Sequence, residues 1–338
     1  MDSPTPIYDL KPWLEHYGQN IPRQLDPPRH PHLPALLREV AARHADKVAF
    51  TTCMANGMHA SLSYAKVDQY SDAFAVYLRK VLGLKAGARV ALQAPNWRAY
   101  PVFTFGVPKA GCVLVNTNPL YTPTEMEHQF ADSGAEVLVI VDMSAHKLDG
   151  FLARTAVRKV IVVEVSQFFA AIPRAVIRSV MRWWNQVLPP ITLEHVRLEQ
   201  ALAEGKAARA RDAVDLNAYL DGIGHESLAA LQYTGGTTGV AKGAMLTHGN
   251  LLNNLQQAFA MGASHIEEGR EVVLTALPLY HIFAFTFNLL AFYAAGARNV
   301  LAPSPRPIQN LQRAFDNYPI TWVSGVNTLF NALLNEEW

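Results

Sequence analysis

Between residues 89 and 163, short apolar runs return at intervals too long for hairpins. The runs at 89–94, 112–116, 137–141 and 160–163 read as strands, and 96–109, 124–133 and 145–154 read as the helices between them. The runs are apolar throughout rather than at alternate positions, as in strands covered on both faces. Strand–helix repetition of this kind predicts an α/β fold: a mainly parallel sheet layered with helices on both faces. Asn96 is expected to cap the first of these helices. Thr122-Pro123 is expected to open the second, with proline at its start and acids in its first turn.

The same reading extends outward. Residues 1–34 are proline-rich and predict an extended arm. A helix is expected over 33–43, a strand pair over 48–53 and 60–62 about the Asn56-Gly57 turn, and a helix over 64–82 capped by Ser63. The alternation lapses over 166–226, which reads as an irregular insertion. It resumes with a strand at 228–231, a helix at 249–261, a strand at 272–277 and an apolar helix at 283–295 that Gly296 stops. Strands at 299–301 and 320–323 and helices at 307–315 and 327–334 complete the series.

Charge and cysteines exclude several functions. The 338 residues carry a net charge of +1, which gives no electrostatic basis for nucleic acid binding. The two cysteines, Cys53 and Cys112, are isolated, which fits a reducing compartment and excludes a cysteine metal cluster. Residues 1–20 include Asp2, Asp9, Lys11 and Glu15 and lack the apolar stretch of a signal peptide. The most apolar segment, 282–297, is shorter than the roughly 20 residues a membrane span needs and reads as a buried helix. Arg174, Arg178 and Arg182 fall on one helical stripe, with Phe168, Phe169, Trp183 and Trp184 around them. Residues 168–187 therefore read either as a helix on a membrane surface with its basic side toward headgroups, or as a surface helix with a solvated basic stripe. Pro173 argues against one continuous helix there. Residues 203–211, charged and alanine-rich, are expected to be exposed.

The densest chemistry lies in Tyr233-Thr234-Gly235-Gly236-Thr237-Thr238-Gly239-Val240-Ala241-Lys242-Gly243, between the 228–231 strand and the Thr247-His248-Gly249-Asn250 helix start. Glycines let backbone approach a ligand closely, successive N–H groups make an anion site, and Lys242 adds a point charge. A polyphosphate cradle is the functional reading and a polar surface turn the plain one. The order of residues fits neither a Walker A loop nor a dinucleotide fingerprint.

A second segment, Pro278-Leu279-Tyr280-His281-Ile282-Phe283-Ala284-Phe285, follows a strand end, where α/β sheets gather ligands. His281 could order a carboxylate beside an apolar tunnel, or be a structural histidine. A third, Asn118 to Gln129, offers Glu125 and His128, for which capping and surface polarity are the simpler roles. No zinc motif and no Gly-x-Ser-x-Gly elbow occurs.

These segments resemble the adenylate-forming enzymes: acyl-CoA synthetases, adenylation domains of peptide synthetases, and luciferases. Tyr233 to Gly243, continuing through Ala244 to His248, is similar to their phosphate-binding loop, and Pro278 to Thr286 to their aromatic-histidine segment. Within the family the chain is most similar to bacterial long-chain fatty acid CoA ligases, through Leu231 to His248, Asn118 to Thr122, Asp132-Ser133-Gly134-Ala135 and Gly325 to Leu334. The resemblance implies activation of a long-chain fatty acid by ATP to acyl-adenylate and pyrophosphate, then transfer to coenzyme A. It implies that Thr234 to Gly239 and Lys242 hold the β- and γ-phosphates, with Thr234 the hydroxyl nearest Mg²⁺. His281 would lie beside the acyl carboxylate, and Phe283 and Phe285 would line the acyl tunnel.

The resemblance also suggests an organisation. The arm, 1–34, is followed by 35–83 as the first segment of a second α/β subdomain. Residues 84–246 form an α/β subdomain ending in the phosphate loop, and 247–338 continue the second with the acyl pocket. Gly235 stands where the family usually has serine or threonine, and Ala241 where it usually has proline. The family's Tyr-Gly-x-Thr-Glu segment, ribose-binding aspartate and mobile C-terminal domain have no counterpart in these residues. The expectation is thus an N-terminal portion, inactive alone. It is expected to be cytoplasmic, with peripheral membrane contact through 168–187 and a homodimer both left open. Adenylation of an aryl or amino acid, or a non-catalytic nucleotide or fatty acid binding module, are the alternatives.

Overall fold

The computed structural model describes residues 7–234, 240–262 and 265–338. Among them twelve strands form: β1 Val48–Cys53, β2 His59–Ser63, β3 Arg89–Gln93, β4 Val113–Asn116, β5 Ala135–Val141, β6 Lys159–Val163, β7 Val196–Arg197, β8 Leu228–Thr234, β9 Lys242–Thr247, β10 Val272–Thr275, β11 Arg298–Leu301 and β12 Trp322–Val323. A five-stranded sheet has the order β12-β10-β11-β1-β2, and a seven-stranded sheet the order β7-β6-β5-β3-β4-β8-β9. Neighbours in each run parallel except at one edge, where β2 and β9 pair antiparallel with β1 and β8. This is the layered α/β architecture that the apolar runs predict. Val90, Ala91 and Leu92 of β3 are wholly buried, as a central parallel strand requires.

The helices Tyr64–Val76 and Tyr100–Lys109 pack side by side and cover one face of the seven-stranded sheet, sharing a core with β3, β4 and β5. Gly106 permits that approach, since a Cβ there would lie 2.9 Å from the Ser71 carbonyl oxygen. Buried Lys109 is fully used between these helices, donating to Asp68 Oδ1 at 2.5 Å and to Asp72 Oδ1 and Ser71 Oγ at 2.8 Å.

Several expectations need correction. Asn96 does not cap a helix: the helix begins at Tyr100, and Asn96 reaches across to the other sheet. The helix expected over 64–82 turns into a π-helix at Tyr77–Val81, and the one expected over 145–154 is two 3-10 turns, Ala145–Leu148 and Leu152–Arg154. The helix expected directly after the phosphate-binding segment is preceded by the strand β9, which pairs antiparallel with β8.

Residues 166–226 are more regular than their sequence suggests. They hold the helix Ala171–Ser179, the edge strand β7 parallel to β6, and the helix Leu198–Arg211. That last helix is not simply exposed. Ala201, Gly205 and Ala208 are buried on the helix Tyr64–Val76, where small side chains allow contact with the Ala73 backbone. Pro173 is accommodated because it sits in the first turn of its helix, where backbone N–H groups have no intrahelical partner. Among the described residues no helix is long and apolar enough to cross a membrane.

Candidate active site

The strand β8 carries buried residues from Ala229 to Tyr233 and reaches the surface at Thr234. Its partner β9 starts at Lys242, and the register sets Thr234 opposite Lys242, Tyr233 opposite Gly243 and Gln232 opposite Ala244. Directly opposed residues share a face of the sheet, and successive residues alternate. Gln232, Thr234, Lys242 and Ala244 therefore share one face, while Tyr233 occupies the other.

Each face is fixed by specific contacts. The Tyr233 hydroxyl donates to Asp132 Oδ2 at 2.5 Å, and the ring leaves no space opposite: a Cβ on Gly243 would sit 3.0 Å from it. Burial, reinforced by the Asp132 carboxylate, pushes the Tyr233 phenol well above its usual range. Asp132 belongs to the helix Pro123–Ser133, whose start is held by a capping box of Thr122 and Glu125. His128 of the same helix contacts the Ala241 carbonyl at 3.2 Å. Glu125 is thus a cap, and His128 braces the segment that enters β9.

On the opposite face, Gln232 Nε2 donates to the Tyr280 carbonyl at 2.8 Å, and its Oε1 accepts from Asn116 Nδ2 at 3.0 Å. Asn116 Oδ1 in turn accepts from the Tyr100 hydroxyl at 2.8 Å. Asn96 adds a second bridge. Its Nδ2 donates to the carbonyls of Thr275 and Leu277, and its Oδ1 accepts from the Leu279 N–H at 2.8 Å. These buried amides lock the segment after β10 onto the ends of β3, β4 and β8. Sequence reasoning missed them. Their one signal is polarity at the close of an apolar run, as at Asn116 and Gln232.

The expected site residues separate accordingly. Gly235, Gly236, Thr237, Thr238 and Gly239 lie outside the described residues. Thr234, Val240, Lys242 and Ala244 are exposed at the hairpin, with Ala241 and Gly243 half-buried. His281 is exposed one residue beyond Tyr280, and its backbone accepts from the Phe285 N–H at 2.9 Å as the apolar helix begins. Phe283 is 45% exposed and stacks on Phe287, whereas Phe285 is 1% exposed and belongs to the main core. Among the described residues no three His, Cys, Asp or Glu side chains converge to hold a metal. The arrangement joins the Lys242 cation and the Thr234 hydroxyl at one end of the β8–β9 pair with a histidine and an apolar helix on the adjoining segment.

The chain belongs to the AMP-binding enzyme family, whose model matches residues 37–338. The chain is 42% identical over 328 residues to a long-chain-fatty-acid–CoA ligase of Yersinia pestis, covering 97% of this chain and 56% of that protein. A long-chain-fatty-acid–CoA ligase of Bacillus subtilis is 28% identical over 335 residues, covering 96% and 55%. The chain thus spans little more than half the length of these relatives. In fold it is similar to the crystal structure of a long-chain-fatty-acid-CoA ligase from Archaeoglobus fulgidus, with TM-score 0.71 and 21% identity, covering 94% of this chain and 56% of that one. A benzoate CoA ligase from Burkholderia xenovorans gives TM-score 0.68 at 20% identity, covering 90% and 52%.

Proposed function

We propose that the protein activates a long-chain fatty acid with ATP and passes it to coenzyme A. The fatty carboxylate attacks the α-phosphorus, forming the acyl–phosphate bond as the bond to pyrophosphate breaks. The coenzyme A thiolate then attacks the acyl carbon, and AMP leaves. The observation that carries this reading is the hydrogen bond from Gln232 to the Tyr280 carbonyl, which sets the strand entering the glycine-rich segment beside the one bearing His281.

In this reading Lys242 and the backbone from Thr234 onward face the pyrophosphate, where leaving-group charge accumulates and a prearranged cation helps most. His281 orders the carboxylate. Phe283, with Phe285 behind it, gives the acyl chain an apolar wall. Magnesium takes few protein ligands and completes its shell with water and substrate phosphates, so an exposed Thr234 hydroxyl fits it where the described residues form no carboxylate cluster. The ion would supply charge neutralisation at those phosphates. The 42% identity to long-chain-fatty-acid–CoA ligases supports the choice of acid.

Pyrophosphate release from ATP, with palmitate, benzoate and single amino acids offered in turn, tests the proposal in the protein expressed from its full reading frame. Palmitate-dependent release is expected. Release with benzoate or an amino acid alone would assign aryl or amino acid adenylation instead. Nucleotide binding without release for any acid would assign a binding module.

A further inference from the structure

The helix Ala171–Ser179 continues into the π-helical turn Val180–Trp184, and its two sides are the reverse of what an arginine stripe suggests. Arg174 pairs with Glu164 at 2.6 Å and also with Glu199, and Arg178 pairs with Glu164, so both turn toward the body. Ile177 is buried, and Met181 packs on the same small cluster as Val141, Val165 and Phe169. The outward side is apolar. Ile172 is 79% exposed, Val176 49%, Val180 45%, Trp183 73% and Trp184 86%. The first four fall at i, i+4, i+8 and i+11, one stripe about 16 Å long at 1.5 Å per residue.

The surroundings of this ridge are cationic. No acid occurs between Glu164 and Glu194. Arg182 is exposed and lies 5.5 Å over the Trp183 ring. Arg182, His195 and Arg197 line a cleft of about 370 Å³ beside Trp183, which Asp142 and Glu164 also line.

We infer that this ridge docks on an anionic lipid bilayer, with the apolar stripe entering the boundary between headgroups and acyl chains. Two features select a lipid surface. The ridge's two tryptophans pair an apolar ring with a polar N–H, the combination favoured at that boundary. Its rim carries Arg182 and Arg197, which complement anionic headgroups. The arginines at 174 and 178 act as struts that hold the helix on the protein and leave its apolar side outward. This docking face is independent of the acyl-activating reading.

The test is co-sedimentation of the 338-residue chain with vesicles of phosphatidylglycerol and phosphatidylcholine, and with phosphatidylcholine alone. A Val176→Gln/Val180→Gln/Trp183→Gln variant, altered only at exposed positions, should keep its melting temperature and lose about ten-fold or more in partition to the anionic vesicles. Arg182→Gln should weaken partition less and reduce its salt dependence. Partition of the triple variant equal to that of the parent would overturn the inference. So would a parent that ignores vesicles yet self-associates in sedimentation velocity through the same residues, since the ridge would then be a contact between copies.

Discussion

Gln232 donates to the carbonyl of Tyr280 across 2.8 Å, and 48 residues of chain separate the two. The bond joins the strand that enters the glycine-rich segment to the turn that presents His281. Gln232 is itself held by Asn116, so its amide has little freedom to turn away. Gln232→Leu would leave the Asn116 amide without its acceptor and the Tyr280 carbonyl without its donor. A buried polar group stripped of its partner costs about 1–3 kcal/mol. Urea unfolding should show a loss of that size with an unchanged denaturant slope. Under the proposed function, fatty acid activation should fall further than stability alone explains, because the segment bearing His281 loses its anchor.

Gly205 gives a case in which the ordinary helix rule reverses. Replacing glycine by alanine inside an exposed helix stabilises by roughly 1 kcal/mol. Here a Cβ would lie 2.0 Å from the Ala73 carbonyl oxygen, so the helix Leu198–Arg211 would have to move off its neighbour. Gly205→Ala should instead destabilise by about 1–3 kcal/mol, as overpacking does. Thermal unfolding of the two proteins checks the sign.

His248 begins the helix after β9 and is buried, accepting from the Leu33 N–H through Nδ1 at 3.3 Å. Burial, with His32 and His225 nearby, pushes its pKa down to about 4 from an ordinary 6.5. Between those values the unfolded chain takes up a proton that the folded chain refuses. Stability therefore falls as pH drops from 6.5 toward 4, by on the order of 3 kcal/mol. Asp142, pushed up to about 6 by burial, works in the opposite direction over an overlapping range. Comparison with His248→Asn separates the two, because the asparagine can still accept from Leu33 but does not titrate. The stability gap between parent and variant should shift in favour of the variant as pH is lowered through that interval.

The strands of the two sheets are largely visible in sequence because full burial leaves its mark at every position, as in Val90-Ala91-Leu92. Three features are hidden for physical reasons. β9 is an edge strand with exposed residues at Lys242, Ala244 and Met245, so no pattern of full burial betrays it. β7 has two residues, fewer than any periodicity can reveal. Asn96 has the chemistry of a cap, and only the folded chain shows the Leu279 N–H arriving at its side chain from the other sheet. The site shows the same division. Lys242 and His281 stand out by composition, while the amides that bring their segments together look like ordinary polar residues. On the helix Ala171–Ser179 the arginines draw the eye, yet their partners Glu164 and Glu199 turn them inward and leave the apolar side free.

Lys242 offers the most direct test of the central claim, that the β8–β9 hairpin holds the polyphosphate of ATP. It is exposed, so its removal should leave the fold intact. Titration of the protein with ATP in the presence of magnesium, followed by calorimetry, should show binding that Lys242→Ala weakens by about 1–3 kcal/mol, the worth of a charge-assisted contact. The melting temperature without nucleotide should be unchanged. An ATP affinity equal in parent and variant would contradict the account and place the phosphates elsewhere.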